Sequence, residues 1–326
     1  MHRYGGVVST PRSVELPASV RAHRFRTARG DFAGLVGRPV QRSGVRGSVL
    51  LLPGYTGSKE DFVALLPSLA ELGWVVATYD QRGQFETTGS GDDDYSLAGL
   101  AADAAAVADA VLEPGPHLVG HSFGGLVARE AAITDPARWA SLTLLCSGPA
   151  GFTGRKADDL RQVEALLPTA GLEIVYEAKR EAGLAEGLPQ PDPEVEEFLR
   201  RRFLANSVDS LLAFTRHLTT THDRTEDLIR CGVPTAVMYG EGDDAWPLDV
   251  QDDVARRLGV DPVVIHGAAH SPNVEQPKET ARALDAVMSA AQQSRAQSPT
   301  AQSPTAQSPT AQSPTTPSDD TVSEHR

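Results

Sequence analysis

The chain lacks several features that would each place it in a class. It has only two cysteines, Cys146 and Cys231, in 326 residues. Two thiols build no disulfide framework, and neither stands in a C-x-x-C or Cys/His ligand spacing. Both are therefore read as small buried apolar residues. No apolar run approaches the ~18 residues that a membrane span needs. The opening stretch "MHRYGGVVSTPRSVELP" has no apolar core of signal-peptide length. The expectation is a soluble, cytoplasmic protein with no membrane span. Positive charge is also in deficit: 43 Asp and Glu against 30 Lys and Arg leave a net −13. A nucleic-acid binder needs a basic face to displace phosphate counterions, so no nucleic-acid partner is expected. No H-E-x-x-H or similar metal pattern occurs. The acids of "GSGDDDY" (89–95) sit in a glycine-rich loop and are read as solvated rather than metal-binding.

What the chain does have is alternation. "VRAHRFRTARGDFAGLVGRP" reads as a hairpin around Gly30. The runs "SVLLLPG" (48–54), "WVVATYD" (74–80), "HLVGH" (117–121), "LTLLCS" (142–147), "PTAVMYG" (234–240) and "PVVIHG" (262–267) are short and continuously apolar. Such runs suit strands buried on both faces of a parallel sheet. Helical patterns separate them at about 60–72, 95–112, 123–134, 248–258 and 276–291. Strand–helix alternation predicts an α/β fold with a doubly wound, mostly parallel sheet.

Between about 150 and 230 the strands stop. Val195, Phe198, Leu199 and Phe203 recur at helical spacing, as do Val208, Leu211, Leu212 and Leu218, with "LPQPDP" (188–193) as a break. This predicts an all-helical insertion able to lie over the strand ends as a lid. From Ala296 to Thr315 "AQSPT" repeats four times. So short a polar period buries nothing and is expected to be disordered. The expected division is a core at 18–148, the lid at 149–231, a second core segment at 232–291 and the tail at 292–326.

The stretch "HLVGHSFGGLVAR" (117–129) joins a strand to a helix through Ser122, with Gly120 and Gly124 two positions to either side. A sharp strand–turn–helix lifts the serine hydroxyl off the carboxyl end of the strand, where parallel sheets collect functional groups. Side chains at 120 and 124 would collide with the neighbouring strand and helix. This is a G-x-S-x-G nucleophile elbow, and with it the chain resembles the α/β-hydrolases over about residues 18–290.

The resemblance implies a Ser–acid–His order. Two later strand ends carry the missing groups, in "VMYGEGDDAWP" and "VIHGAAHSPNVEQP". His270, in a segment resembling the family's G-x-x-H-S-P, is the expected general base in preference to His266. His121 is expected to point away from the serine and pack, and His217 and His222, five apart, form no ligand pair. The family's G-x-x-D after this strand lands on Asp243, with Asp244 the alternative acid. Oxyanion donors are expected from the backbone N–H of Phe123 and, after "LLPG", of Tyr55. Pro53 stands where the family commonly has a histidine that braces this loop. "YDQRG" resembles the family's D-x-R-G turn, so Asp80 and Arg82 are read as a structural turn and ion pair.

The implied activity is a serine hydrolase acting on an ester or related carbonyl compound, with no cofactor. The partner is a small-molecule substrate; the lid residues Phe198, Leu199, Phe203, Leu211, Leu212 and Phe214 permit an apolar acyl or aryl group, and Trp246 either lines the pocket or anchors a helix. An acyltransferase, a cofactor-free perhydrolase and a non-enzymatic ligand receptor on the same fold stay open. Nucleotide binding through the glycines at 120–125 is disfavoured, because a dinucleotide fingerprint follows the first strand of its unit. Ser122 also argues against chemistry that uses an aspartate nucleophile on this fold.

Overall fold

The computed structural model describes residues 9–40, 44–185, 187 and 190–297. Its elements in chain order are β1 (Val20–Thr27), β2 (Gly30–Gly37), β3 (Gly47–Leu52), α1 (Leu65–Glu71), β4 (Trp74–Tyr79), α2 (Leu97–Val111), β5 (His117–His121), α3 (Phe123–Thr134) and β6 (Leu142–Leu145). They continue with α4 (Gly154–Ala185), α5 (Pro193–Leu204), α6 (Val208–Thr220), α7 (Thr225–Cys231), β7 (Thr235–Gly240), α8 (Leu248–Leu258), β8 (Val263–Ile265), α9 (Pro272–Glu275) and α10 (Pro277–Gln297).

Eight strands form one sheet in the order β1-β2-β4-β3-β5-β6-β7-β8. The predicted hairpin is present: β1 and β2 pair antiparallel from Val20↔Gly37 to Thr27↔Gly30. From β4 to β8 the pairing is parallel. Every residue of β5 is buried. Successive strand residues point to opposite faces, so both faces of the sheet are covered, which is why the run reads as continuously apolar. Strand order reverses at β3, with β4 on one side and β5 on the other. The loops that follow β3 and β5 therefore meet at a switch point, where open α/β sheets place their ligands.

The strand-free interval is helical. α4 breaks at Gly171, whose φ of 79° and ψ of 171° no helix accommodates, three residues after Pro168. Leu167, Val175, Tyr176, Phe203 and Leu211 form a small core of their own, separate from the main one. These residues are thus spent on holding the lid's helices together, while Phe214, Leu218 and Leu228 join the main core. Phe198 packs edge-on against Phe85 at 5.7 Å. Trp246 anchors the loop that leads into α4 rather than a helix: its Nε1–H donates to the Ala150 carbonyl at 3.1 Å, and its ring lies 4.3 Å from Phe152.

Two limits of the sequence reading move. The chain before residue 18 is packed rather than peripheral: Ser9 Oγ is 2.8 Å from Ser271 Oγ, and Arg202 donates to the Ser9 carbonyl at 2.8 Å. α10 runs past 292 to Gln297 because polar tethers replace the missing apolar ones. Gln292 donates to the Arg46 carbonyl (3.0 Å) and Arg295 to the Trp139 carbonyl (2.7 Å). The rest of the AQSPT segment, and residues 1–8, lie outside the described residues. Among the described residues no helix is long and apolar enough to cross a membrane. Cys146 is fully buried, as read, but Cys231 is only half-buried.

Candidate active site

Ser122 follows β5 with φ 53° and ψ −122°, an unusual region for any residue but glycine. Close packing on all sides enforces the turn. A Cβ on Gly120 would lie 2.3 Å from the Gly124 carbonyl oxygen, and one on Gly124 would lie 2.4 Å from that of Leu52. Gly125, which the motif does not single out, is equally constrained, with Ser147 Oγ 2.3 Å from any Cβ there. The backbone N–H of Ser122 donates to Leu145 on β6 at 2.9 Å.

Three distant segments meet at this serine. Ser122 Oγ is 3.0 Å from His270 Nε2. His270 Nδ1 is 2.8 Å from Asp243 Oδ1. All three residues are at least nine-tenths buried. Burial alone pushes the Asp243 carboxyl up. The His270 ring, with the donors from His270, the Ala245 backbone (3.0 Å) and the Gln251 amide (2.9 Å), outweighs it and holds the pKa below the usual carboxylate value. Asp243 is thus an acceptor only. His270 Nδ1 carries the proton that it donates to Asp243, which leaves Nε2 free to accept from the serine hydroxyl.

Asp244 faces elsewhere. Its backbone carbonyl accepts from Lys156, whose ammonium is 3.9 Å from its carboxylate. His266 is on the surface, with Nδ1 2.8 Å from Glu241. His217 Nε2–H donates to the Tyr95 carbonyl, 2.8 Å away, and the ring lies flat near that of Phe123.

Two residues at the site have no motif signal. His121 does pack, and it does more: its Nε2–H donates to the backbone carbonyl of His270 at 2.7 Å. Burial, then the nearby His270 ring, pushes its pKa down to about 3, so the imidazole is neutral. Gln251, fully buried on α8, donates to the Asp243 oxygen that His270 does not use.

The loop after β3 lies against the serine: a Cβ on Gly54 would stand 3.1 Å from Ser122 Cβ. Proline at 53 removes a histidine brace, and two glutamines supply another. Gln81 donates to the Pro53 carbonyl (2.9 Å) and Gln84 to the Gly54 carbonyl (3.1 Å). The side chains of both expected oxyanion residues touch the lid. Tyr55 Oη is 2.8 Å from Thr215 Oγ1 on α6, and burial raises its pKa to about 12. The Phe123 ring stacks 4.5 Å from Phe214, also on α6.

Asp80 and Arg82 are structural but do not pair with each other. Asp80 accepts from the Lys59 backbone (2.8 Å) and ammonium (2.9 Å). Arg82 forks onto Asp103 at 2.7 and 2.8 Å and reaches Asp93 at 3.0 Å. Asp93 is therefore an ion-pair partner rather than a solvated loop acid. Among the described residues, one group of potential metal ligands is compact, namely His121, Cys146 and His270. It shares its histidines with the contacts just described.

A model of the alpha/beta hydrolase family matches residues 49–283. A putative carbamate hydrolase of Variovorax paradoxus is 42% identical over 98 residues, which is 30% of this chain and 37% of that protein. A monoacylglycerol lipase of Xenopus laevis is 26% identical over 276 residues, 78% of each chain. Among solved structures, a thermophilic esterase from Thermogutta terrifontis superposes with a TM-score of 0.65 at 23% identity, over 83% of this chain and 99% of that one. A structure from work on carboxylesterases of the thaumarchaeon Nitrososphaera gargenis gives 0.67 at 18% identity, over 83% and 100%. At these identities the superpositions show the fold.

Proposed function

The chain belongs to the α/β-hydrolase family, and from that premise we propose that it is a serine hydrolase that cleaves an ester or related carbonyl compound through an acyl-enzyme. The observation that carries this reading is the continuous chain of hydrogen bonds from Ser122 through His270 to Asp243. Ser122 Oγ attacks the carbonyl carbon as His270 Nε2 takes its proton. Asp243 keeps the imidazole in the correct tautomer and stabilises the imidazolium that forms. The backbone N–H groups of Tyr55 and Phe123 are assigned to the oxyanion, a contribution of ~2.7–4 kcal/mol per donor in such sites. His270 then passes its proton to the leaving oxygen, which departs and leaves the acyl group on Ser122. A water, deprotonated by His270, releases the acid and restores the serine.

The names of the relatives, a monoacylglycerol lipase and a putative carbamate hydrolase, support carbonyl substrates of this class. An apolar acyl or aryl portion is supported by Leu199 and Phe203, which line a cavity of about 350 Å³ under the lid. Other lid residues named from sequence, such as Leu211 and Phe214, are fully buried. The test is hydrolysis of a series of p-nitrophenyl esters of rising acyl length by the native chain and by Ser122→Ala. Turnover by the native chain, lost in the variant, is expected. Equal turnover by both, or none by either, would contradict the proposal.

A further inference from the structure

The cavity under the lid abuts the catalytic rim. Two of its lining residues, Thr56 and Ser271, directly follow Tyr55 and His270 in the chain. Its lid wall carries Lys179, half-buried in the second part of α4. The Lys179 ammonium lies 5.5 Å from the centre of the Tyr55 ring and 5.6 Å from that of Phe203. No described carboxylate pairs with it. The charge that bears most on it is another cation, Arg202, and burial together with that guanidinium brings its pKa down to about 8.

Of the other charged groups that line this cavity, the two cations are paired with carboxylates and the two carboxylates accept hydrogen bonds from neutral donors. Arg202 is neutralised by Asp61 at 2.7 Å, and Arg180 by Glu177 at 2.8 Å. Glu196 accepts from the Tyr176 hydroxyl (3.0 Å), and Glu275 from the backbone N–H groups of Ala269 and Ser271. Two more donors on the same lining residues are buried without an acceptor. They are the Thr56 hydroxyl, on a residue 1% exposed, and Arg202 Nε–H. Buried donors normally find a partner, and a half-buried lysine whose ammonium lies over two rings with no carboxylate beside it is open to a counter-charge. An acceptor bearing negative charge would satisfy all three groups.

We propose that this cavity receives an anionic group of the substrate, a carboxylate or a phosphate, with Lys179 as its counterion and Thr56 as a hydrogen-bond donor. The proposal rests on the hydrolase reading for its word "substrate"; the cavity's preference for an anion stands apart from it. The scissile carbonyl sits at Ser122, and the apolar walls formed by Leu199 and Phe203 carry the segment that joins it to the charge. The substrate class is then an ester whose acyl or alcohol part ends in an anion.

The experiment compares kcat/KM for the p-nitrophenyl monoester of glutarate, its phosphonate analogue and the neutral pentanoate ester. It uses the full chain, Lys179→Met and Lys179→Arg. A hydrogen bond to a charged group corresponds to about 10- to 100-fold in binding. The ratio of anionic to neutral ester is expected to fall by that factor in Lys179→Met, mainly through KM, and to be partly kept in Lys179→Arg. The carboxylate and phosphonate arms identify which anion is preferred. A ratio that Lys179→Met leaves unaltered would overturn the proposal. Calorimetric titration with free glutarate and inorganic phosphate separates the two readings. Anion binding weakened in Lys179→Met, with no turnover of any ester, would support the cavity and sink the hydrolase. Turnover of the neutral ester, with no anion bound by the native chain, would do the reverse.

Discussion

Ser122 and its neighbours divide into residues that a motif announces and residues that only packing reveals. The serine, its flanking glycines, His270 and Asp243 are legible because each falls at the end of an apolar strand, in an order that the elbow leads one to seek. The G-x-x-D spacing favours Asp243 over Asp244, and the direction of each side chain separates the two: Asp243 meets His270 and Asp244 faces Lys156. His121 and Gln251 carry no signal for different reasons: His121 lies 149 positions from the carbonyl it holds, whereas Gln251, only 8 positions from Asp243, is one polar residue among several on α8. Replacing His270 with Ala is expected to lower kcat by about 10²–10⁴-fold. Asp243→Asn presents the wrong tautomer and costs up to about 10⁴-fold, whereas Asp244→Asn leaves most of the rate. Steady-state kinetics on one ester checks all three, and a larger loss at 244 than at 243 would reverse the assignment. Gln251→Leu removes a donor from Asp243 and is expected to lower kcat more than it alters KM. An unchanged kcat would show that Asp243 is held well enough without it.

At the scale of elements, the strands and core helices are legible because their periodicity reflects burial against a single sheet. The lid is harder to read. Its apolar residues suggest a substrate wall, yet Leu167, Val175, Tyr176, Phe203 and Leu211 mostly face one another. Periodicity reports that a face is buried and does not report against what. The fastening of α5 is equally invisible in the sequence. Arg202 and Asp61, 141 positions apart, form a fully buried pair at 2.7 Å. Burial raises the Asp61 pKa to about 6 against the opposing pull of Arg202. Asp61→Asn strands a buried guanidinium, and breaking such a pair costs about 3–5 kcal/mol. A lower urea midpoint is expected, together with faster proteolysis within α5. Loss of stability with α5 still protected would place the damage in the core instead.

For the whole molecule, the acidic balance says nothing of where the candidate site sits; that follows from the sheet order, which brings the ends of β3 and β5 side by side. Two histidines kept neutral by burial contribute to the pH dependence of the whole fold, and the buried carboxyls of Asp61 and Asp80, whose pKa values burial raises, act with the opposite sign. His121 is pushed down to about 3 and His117 to about 4, the latter also by Arg295. In the unfolded chain both titrate near 6.5. Between those values the unfolded chain binds more protons, so their contribution is whole above about 6.5 and is lost as pH falls towards 4 and then 3. Because the carboxyls are common to both chains, the slope of urea midpoint against pH over that range is expected to be less positive in His117→Gln than in the native chain; parallel slopes would contradict this. The central claim, that the hydroxyl of Ser122 is an activated nucleophile, is tested most directly by labelling the native chain with a fluorophosphonate and mapping the adduct by mass spectrometry. A single adduct on Ser122, absent from Ser122→Ala and strongly slowed in His270→Ala, is the predicted result. An adduct on another residue, or labelling that survives Ser122→Ala, would contradict it.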